Sequence, residues 1–249
     1  MNQQYGPGSE PDNNTFYASQ GPDGVFSTNA RYETLAEYTA KTFGWMFAGL
    51  MVTFLVALAG YTSGIGILLL RSPILFLGLA IAEIAVVVGM SARIHKIGVS
   101  TARGMFFLYA ALNGAVFSCY FYLYQMFDLV LAFGATALYF GIMAAYGYLT
   151  KQDLSGWAKP LFFGLIAMLI VSVVGIFIGG VNILLCCLGI IIFACYTAYD
   201  TQKIKAAYFA YAGNPELAKK ASVFSALELY LDFINLFLYI LRIFSRSRN

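Results

Sequence analysis

The sequence predicts an all-α polytopic membrane protein with seven transmembrane helices. The chain has 249 residues, of which 60% are hydrophobic and only 11% are charged, and its mean hydropathy is +0.74. Soluble chains average about 25% charged residues, so a soluble domain could not bury this much apolar surface. The apolar residues also fall into seven stretches, each near the ~20 residues that a helix needs to cross a bilayer.

The predicted spans are separated by short polar links, which make neighbouring helices antiparallel. Pro73, Pro160 and Pro215 each lie at a predicted helix start, where a missing backbone N–H costs nothing. Ser72 and Asn214 precede two of them and are suitable N-caps. The spans are Thr42–Tyr61, Pro73–Ala92, Gly104–Tyr124, Leu129–Leu149, Pro160–Gly179, Asn182–Gln202 and Ser222–Leu241.

The N-terminal segment differs in composition from the rest of the chain. Residues 1–30 are rich in Asn, Gln, Gly, Ser and Pro and contain no Lys or Arg, which predicts a disordered polar tail before a helical domain of residues 31–249. Most of the 15 Lys and Arg residues fall on the side of the spans that holds the N-terminus. The positive-inside rule therefore predicts a cytoplasmic N-terminus and a C-terminus outside. The basic C-terminal residues Arg246 and Arg248 leave open a last segment that does not cross fully.

Two aspartates lie within the last two predicted helices. Asp200 and Asp232 are each sixteen residues from Glu216, which follows the turn residues Gly213 and Asn214. Two antiparallel helices would therefore carry these carboxyl groups at the same height. A carboxylate in hydrocarbon costs a few kcal/mol or more, so an intramembrane aspartate marks a functional site by default. We expect Asp200 and Asp232 to form a pair that shares protons.

Further polar residues accompany this pair. Glu228 and Asn235 lie one turn before and one turn after Asp232, so the seventh span has a polar stripe. Position near the cytoplasmic interface is an equally good explanation for Glu228. For Asp200 the alternative is an ion pair with Lys203, three residues later on the same helix.

Glu83 lies in the middle of the second predicted span and needs a partner there. Arg242, at the far end of the seventh span, is one candidate, and a structural ion pair is as good an explanation as a role in transport. The four cysteines lie in apolar runs, and neither their spacing nor the single histidine indicates a metal site. A phosphate-binding glycine loop and an HExxH motif are also missing from the sequence.

The stretch Tyr196–Gln202, followed by Leu229–Asn235, resembles the Bax inhibitor family of transmembrane proteins. The resemblance is strongest from Leu227 to Arg242 and extends to Glu83 and the number of spans. It covers about residues 31–245, and the bacterial inner-membrane members are the most similar.

The resemblance implies a seven-helix fold with the last helix near the centre, and a pH-sensitive calcium leak. Asp200 and Asp232 correspond to the two aspartates that act as the pH sensor. Glu83 and Arg242 correspond to the acidic residue of the second helix and to the closing arginine, and Arg93 to an arginine that latches the cytoplasmic side.

The predicted function is therefore a leak for cations, chiefly Ca²⁺, and not an enzyme. Hard cations bind several oxygen atoms. Asp200 and Asp232 could supply these transiently, with Glu228, Asn235 and the hydroxyls of Thr197 and Thr201 nearby. The expected partners are the lipid bilayer and Ca²⁺ as the transported ion. We expect no cofactor and no nucleic acid.

Two other functions remain open at this point. Some bacterial relatives are associated with a membrane-bound quality-control protease, so a regulator of such a protease is one alternative. The other is an intramembrane aspartyl protease, which also places a Tyr-Asp pair in a sixth helix and an aspartate in a seventh. This chain has Tyr199 before Asp200, but around Asp232 it lacks the glycines that flank that motif.

Overall fold

A computed structural model of the chain describes residues 33–92, 96–178, 183–211 and 213–246. Within these ranges, every regular element is helical. The predicted tail of residues 1–30, its boundary at residue 31 and Arg93 lie outside the described residues. A single 3₁₀ turn, Ser155–Trp157, accompanies the following helices: α1 Leu35–Thr62, α2 Ile65–Arg71, α3 Pro73–Ala92, α4 Val99–Phe117, α5 Tyr120–Leu123, α6 Met126–Leu149, α7 Ala158–Ile178, α8 Ile183–Tyr211 and α9 Pro215–Arg246.

The helices agree with the predicted class of protein. In the described part of the chain, six helical segments are long and apolar enough to cross a membrane: α1, α3, α4 with α5, α6, α8 and α9. Helix α7 has 21 residues and coincides with the fifth predicted span. An all-α polytopic membrane protein is thus confirmed, and seven crossings remain a prediction. The second span matches α3, whereas α8 and α9 extend further into the turn that joins them.

Local sequence accounts for where helices begin. Pro73 and Pro215 are the first residues of α3 and α9. The side-chain oxygen of Asn214 accepts the backbone N–H of Leu217 at 3.1 Å, so this residue caps α9 as predicted. The backbone carbonyl of Ser72 accepts an N–H from the first turn of α3 at 3.1 Å. Asn214 therefore pairs a backbone N–H that α9 itself leaves unpaired, whereas the bond at Ser72 is the first i→i−4 bond of α3.

Helix α9 is the most buried helix of the bundle. In its most apolar stretch, 72% of the residues are buried, compared with 39% or less for the other spans. It packs against α1, α4, α6 and α8. By contrast, only 6% of the residues in the most apolar stretch of α3 are buried, and apolar side chains such as Ile74 are exposed on its surface. A helix that is apolar on all sides must be buried in protein or face lipid, and the exposed apolar surface of α3 indicates that it faces lipid.

Two pairs of hydroxyl groups connect α1 to α9. Thr42 and Ser222 share a hydrogen bond of 2.8 Å, and Thr53 and Tyr230 share one of 2.7 Å. All four residues are buried. Because an unpaired hydroxyl in an apolar interior is unfavourable, these bonds select one rotation of α9 about its own axis.

Helices α6 and α8 approach each other closely at Gly147. A Cβ atom on this residue would lie 2.8 Å from the backbone Cα and C atoms of Ala198, closer than such atoms can pack. Small residues permit this kind of contact between membrane helices. The contact fixes α8 two residues before Asp200.

The link between α6 and α7 is attached to α8. The Gln202 side chain accepts the backbone N–H of Leu154 at 2.7 Å and donates to the carbonyl of Gln152 at 2.7 Å. The Lys205 ammonium group donates to the carbonyl of Tyr148 and lies 4.8 Å from the centre of its ring. These contacts hold the end of α8 beyond Asp200 against the neighbouring loop.

Candidate functional site

Asp200 on α8 and Asp232 on α9 lie next to each other inside the bundle. Asp200 is 6% exposed and Asp232 is 4% exposed. Their side chains face each other closely enough for a hydrogen bond, and each acts electrostatically on the other. Two carboxyl groups can form such a bond only if one of them carries a proton and donates it. The arrangement is a pair of carboxyl groups that could share one proton.

The packing of α8 on α9 explains why the two carboxyl groups meet. Phe193 stacks on Tyr239 with ring centres 5.9 Å apart, and Lys203 forms an ion pair with Glu228. In each of these pairs, as in the aspartate pair, the two residues are equally far from Glu216 along the chain, to within one residue. The observed register thus agrees with the antiparallel hairpin that the sequence predicts, although α9 already begins at Pro215.

The Lys203–Glu228 ion pair lies about one helical turn from the aspartates and belongs to the same group of charges. Lys203 bonds across to α9 and not to Asp200, so the predicted alternative of an ion pair within α8 is not formed. Both side chains are partly exposed, at 42% for Lys203 and 36% for Glu228. Asp200 and Asp232 each interact electrostatically with both. This ion pair was not predicted from the sequence, although the same antiparallel hairpin places Lys203 and Glu228 at nearly the same height.

The other predicted oxygen donors are mostly bonded to the backbone. The hydroxyl groups of Thr197 and Thr201 donate to carbonyls four residues earlier at 2.8 and 2.7 Å. The Asn235 amide donates to the Leu231 carbonyl at 2.8 Å. One oxygen of Asp232, Oδ2, is buried without a hydrogen-bond partner. Among the described residues, no three His, Cys, Asp or Glu side chains are grouped as a metal site.

Glu83 and Arg242 are not brought together. The two residues form no ion pair among the described part of the chain, and Glu83 Oε1 is buried without a hydrogen-bond partner. The Arg242 guanidinium lies instead 5.9 Å from the centre of the Tyr239 ring. It borders a cavity of about 400 Å³ near the end of α9. The predicted pairing is absent because α3 packs on α4 and not against the end of α9.

A second polar group surrounds Tyr230, on α9. Besides Thr53, it contains Tyr109 and Asn113 from α4, which are all buried. Sequence reasoning missed this group. The available signal was Asn113, an amide within an apolar span, one helical turn after Tyr109.

Apolar helices arranged around a buried last helix, with a carboxyl pair inside the bundle, define a class of multi-pass membrane proteins with ionisable groups in their core. The profile of the family described as "Inhibitor of apoptosis-promoting Bax1" matches residues 35–249. The chain belongs to this Bax inhibitor-like family, which confirms the resemblance found in the sequence.

Bacterial relatives agree with this assignment over most of their length. The chain is 38% identical over 218 residues to the inner membrane protein YbhL of Escherichia coli, covering 86% of this chain and 93% of the relative. A protein from Borreliella burgdorferi is 36% identical over 216 residues, with coverage of 86% and 93%. One from Deinococcus radiodurans is 35% identical over 210 residues, with coverage of 83% and 89%. The chain is an integral membrane protein, and the name of the E. coli relative supports the bacterial inner membrane as its location.

Proposed function

We propose that this protein is a pH-sensitive leak for Ca²⁺ and related cations, controlled by the Asp200–Asp232 pair. The observation that supports the proposal is that two buried carboxyl groups, one on each of the last two helices, face each other inside the bundle. Buried ionisable groups inside a membrane bundle mark ion pathways and proton relays. Such a pair couples the protonation state to the contact between α8 and α9.

The proposed gate depends on how many protons the pair carries. With one shared proton, the hydrogen bond holds α8 and α9 together and the carboxyl oxygens are inaccessible. When both groups are ionised, two like charges in contact repel each other strongly in an interior of low dielectric constant. The helices then part, and the path opens as the pH rises. The titration belongs to the pair and not to either residue alone.

The same oxygen atoms serve the ion in the open state. Ca²⁺ binds six to eight oxygens in flexible arrangements. The four oxygens of Asp200 and Asp232, with Glu228 and Asn235 on the same stripe of α9, provide negative charge and neutral oxygen along one line. Because a leak must also release the ion, oxygen atoms that bind it only briefly suit this function better than a fixed metal site.

The first prediction concerns the pH dependence of flux. Purified protein in proteoliposomes should pass Ca²⁺ increasingly from about pH 5 to pH 8. Asp200→Asn and Asp232→Asn each remove one of the two titrating groups, so each variant should lose this dependence. Basal flux can change in either direction, since these residues also contact the ion.

Asp153→Asn is the matched control. Asp153 lies in the link between α6 and α7, and hydrogen bonds from the Ser155 backbone and hydroxyl hold the pKa of its carboxyl below the usual range. It is thus charged throughout the assay, and its replacement should leave the profile unchanged. If both asparagine variants kept the wild-type profile, the pair would not be the sensor. Peptide hydrolysis lost in both variants, without any flux in wild type, would favour the aspartyl protease instead.

A further inference from the structure

A cavity of about 620 Å³ lies between the start of α4 and the start of α9. One wall includes Ser100 and Arg103 on α4, and the other includes Pro215, Glu216 and Lys219 on α9. Both helices begin at the end of the bundle that the distribution of Lys and Arg predicts to be cytoplasmic. The cavity is separate from the proposed leak, because it contains none of the leak residues.

The charges around this cavity do not cancel. Glu216 is the acidic residue of the wall, and its carboxylate already pairs with Lys220 on the same helix, at 2.9 Å. Among the described residues, neither Arg103 nor Lys219 forms an ion pair. The wall therefore carries two positive charges that no negative charge of the described chain matches.

The Arg103 side chain is held at the cavity by an aromatic ring. Its guanidinium carbon lies 4.6 Å from the centre of the Trp45 ring on α1, a cation–π contact. The Nε atom is buried and has no hydrogen-bond partner in the described part of the chain. Stacking thus fixes the position of the positive charge, and the guanidinium donors need an acceptor that the described residues do not supply.

The first turn of α4 adds backbone donors to the same wall. Gly98 precedes the helix and has no side chain that could cap it. Its carbonyl accepts the N–H of Ala102 at 3.0 Å, so the N–H groups of residues 99–101 have no acceptor within the helix. Val99 and Ser100 both line the cavity. The positive end of a helix of 19 residues therefore lies beside Arg103.

We propose that this cavity binds the terminal phosphate of a phosphate monoester, between Arg103 on α4 and Lys219 on α9. A phosphate monoester carries a charge of about −1.5 to −2 at pH 7 and presents three acceptor oxygens. Two positive side chains match this charge, and the N–H groups of a first helical turn are common phosphate ligands. A carboxylate has one negative charge and would leave the second cation unmatched.

The size of the cavity indicates that the phosphate belongs to a larger molecule. Sites for small molecules measure about 300–1,000 Å³, and this cavity falls within that range. At the end of a membrane bundle, such a phosphate can come from a water-soluble ester or from a lipid headgroup. The two sources share the same terminal group, so the experiment must separate them.

The first measurement uses inorganic phosphate as the probe and the full chain in detergent. Radioactive ³²P-orthophosphate should bind saturably to wild type and be displaced by excess unlabelled phosphate but not by NaCl. At equal ionic strength and about pH 7.5, where phosphate is mainly a dianion, sodium phosphate should raise the melting temperature by several degrees over NaCl. A ligand that binds only the folded state has this effect.

Competition then identifies the source of the phosphate. Glycerol 3-phosphate and phosphatidic acid carry the same terminal phosphate, one in water and the other on a lipid. Displacement of ³²P-orthophosphate by glycerol 3-phosphate would support a soluble ester. Displacement by phosphatidic acid in mixed micelles, but not by glycerol 3-phosphate, would support a lipid headgroup.

Lys219→Gln should weaken phosphate binding about tenfold or more, the usual contribution of a hydrogen bond to a charged group. Lys219 is exposed, so its replacement should leave the melting temperature in NaCl unchanged. Arg103→Gln should weaken binding as well. Lys151→Gln is the matched control, since it removes an exposed lysine from the link between α6 and α7 on the same predicted side of the membrane.

Two results would overturn the proposal. If wild type neither binds ³²P-orthophosphate saturably nor melts differently in phosphate and NaCl, the cavity holds only water. If Lys219→Gln and Lys151→Gln both bind as wild type does, the phosphate binds elsewhere on the chain. Neither measurement involves ion flux, so the outcome does not depend on the proposed leak.

Discussion

At the scale of single residues, the aspartate pair is surrounded by charges that act on it in opposite directions. Lys203 and Glu228 form an ion pair next to Asp200 and Asp232, and both interact with both aspartates. The positive charge of Lys203 favours the ionised pair, whereas the negative charge of Glu228 favours the protonated pair. Because Lys203 and Glu228 are partly exposed, their bond adds at most about 1 kcal/mol to stability. Their larger effect should be on the pH at which the aspartates titrate.

We therefore predict opposite shifts of the Ca²⁺ flux profile when either member of the ion pair is neutralised. Lys203→Met should move the midpoint of flux to higher pH, and Glu228→Gln should move it to lower pH. An electrostatic interaction of ~1 kcal/mol corresponds to a shift of about 0.7 pH unit. Flux measured in proteoliposomes at fixed ionic strength checks both directions. Shifts in the same direction would show that helix packing, and not charge, had changed.

At the scale of elements, the position of Asp200 depends on how closely α8 packs against α6. Gly147 lets the backbones meet at Ala198, two residues before the aspartate. Gln202, two residues after the aspartate, ties α8 to the link between α6 and α7. Asp200 thus lies between two contacts that both involve backbone atoms, which adapt less readily than side chains. Because this stretch of α8 is fixed, the aspartates can separate only if α9 moves or if the bundle as a whole rearranges.

The close approach at Gly147 can be tested by stability. Gly147→Ala should destabilise the protein by ~1–3 kcal/mol, the usual cost of overpacking, because the new methyl group meets the backbone of Ala198. Gly141→Ala on the same helix is the control. No atom lies within 4 Å of its new methyl group, so it should be neutral or stabilise by about 0.5–1 kcal/mol through helix propensity. Melting curves in one detergent compare the two, and equal melting temperatures would rule out the close contact.

At the scale of the whole molecule, α9 is a core helix surrounded by helices that face lipid. One side of α9 carries the aspartate and the other carries Tyr230, and each side packs against different helices. Rotation of α9 would therefore disturb both polar groups at once. Its two hydroxyl bonds to α1 oppose such a rotation. A displacement away from α8 would break only the contacts on one side.

The membrane topology, that is, the side of the membrane on which each terminus lies, is a property of the whole chain. The distribution of Lys and Arg predicts a cytoplasmic N-terminus, and seven crossings then place the C-terminus outside. A reporter that functions only outside the cytoplasm should be active when it is fused after Asn249. The same reporter should be inactive in the link between α6 and α7, which the topology places in the cytoplasm. A cytoplasmic C-terminus would mean six full crossings and a last segment that re-enters.

The sequence by itself determined the class of protein, the approximate position of the long helices and the register of the last two, but not the short helix α2 or the division of the third predicted span into α4 and α5. Hydropathy marks the spans because lipid requires uninterrupted apolar helices. Prolines at helix starts and Asn214 mark the boundaries for local reasons. Equal distances from Glu216 placed Asp200 and Asp232 at one height, since rise per residue is nearly constant in a helix.

Tertiary structure alone decided which side chains meet. Lys203 bonds to Glu228 and not to Asp200, Glu83 forms no ion pair with Arg242, and Asn113 joins the polar group around Tyr230. These contacts depend on the rotation and neighbours of each helix. In a chain whose helices are apolar on nearly every side, hydrophobic periodicity carries little information about rotation. Close contacts at small residues and buried hydrogen bonds determine it instead, and both form only when the helices pack.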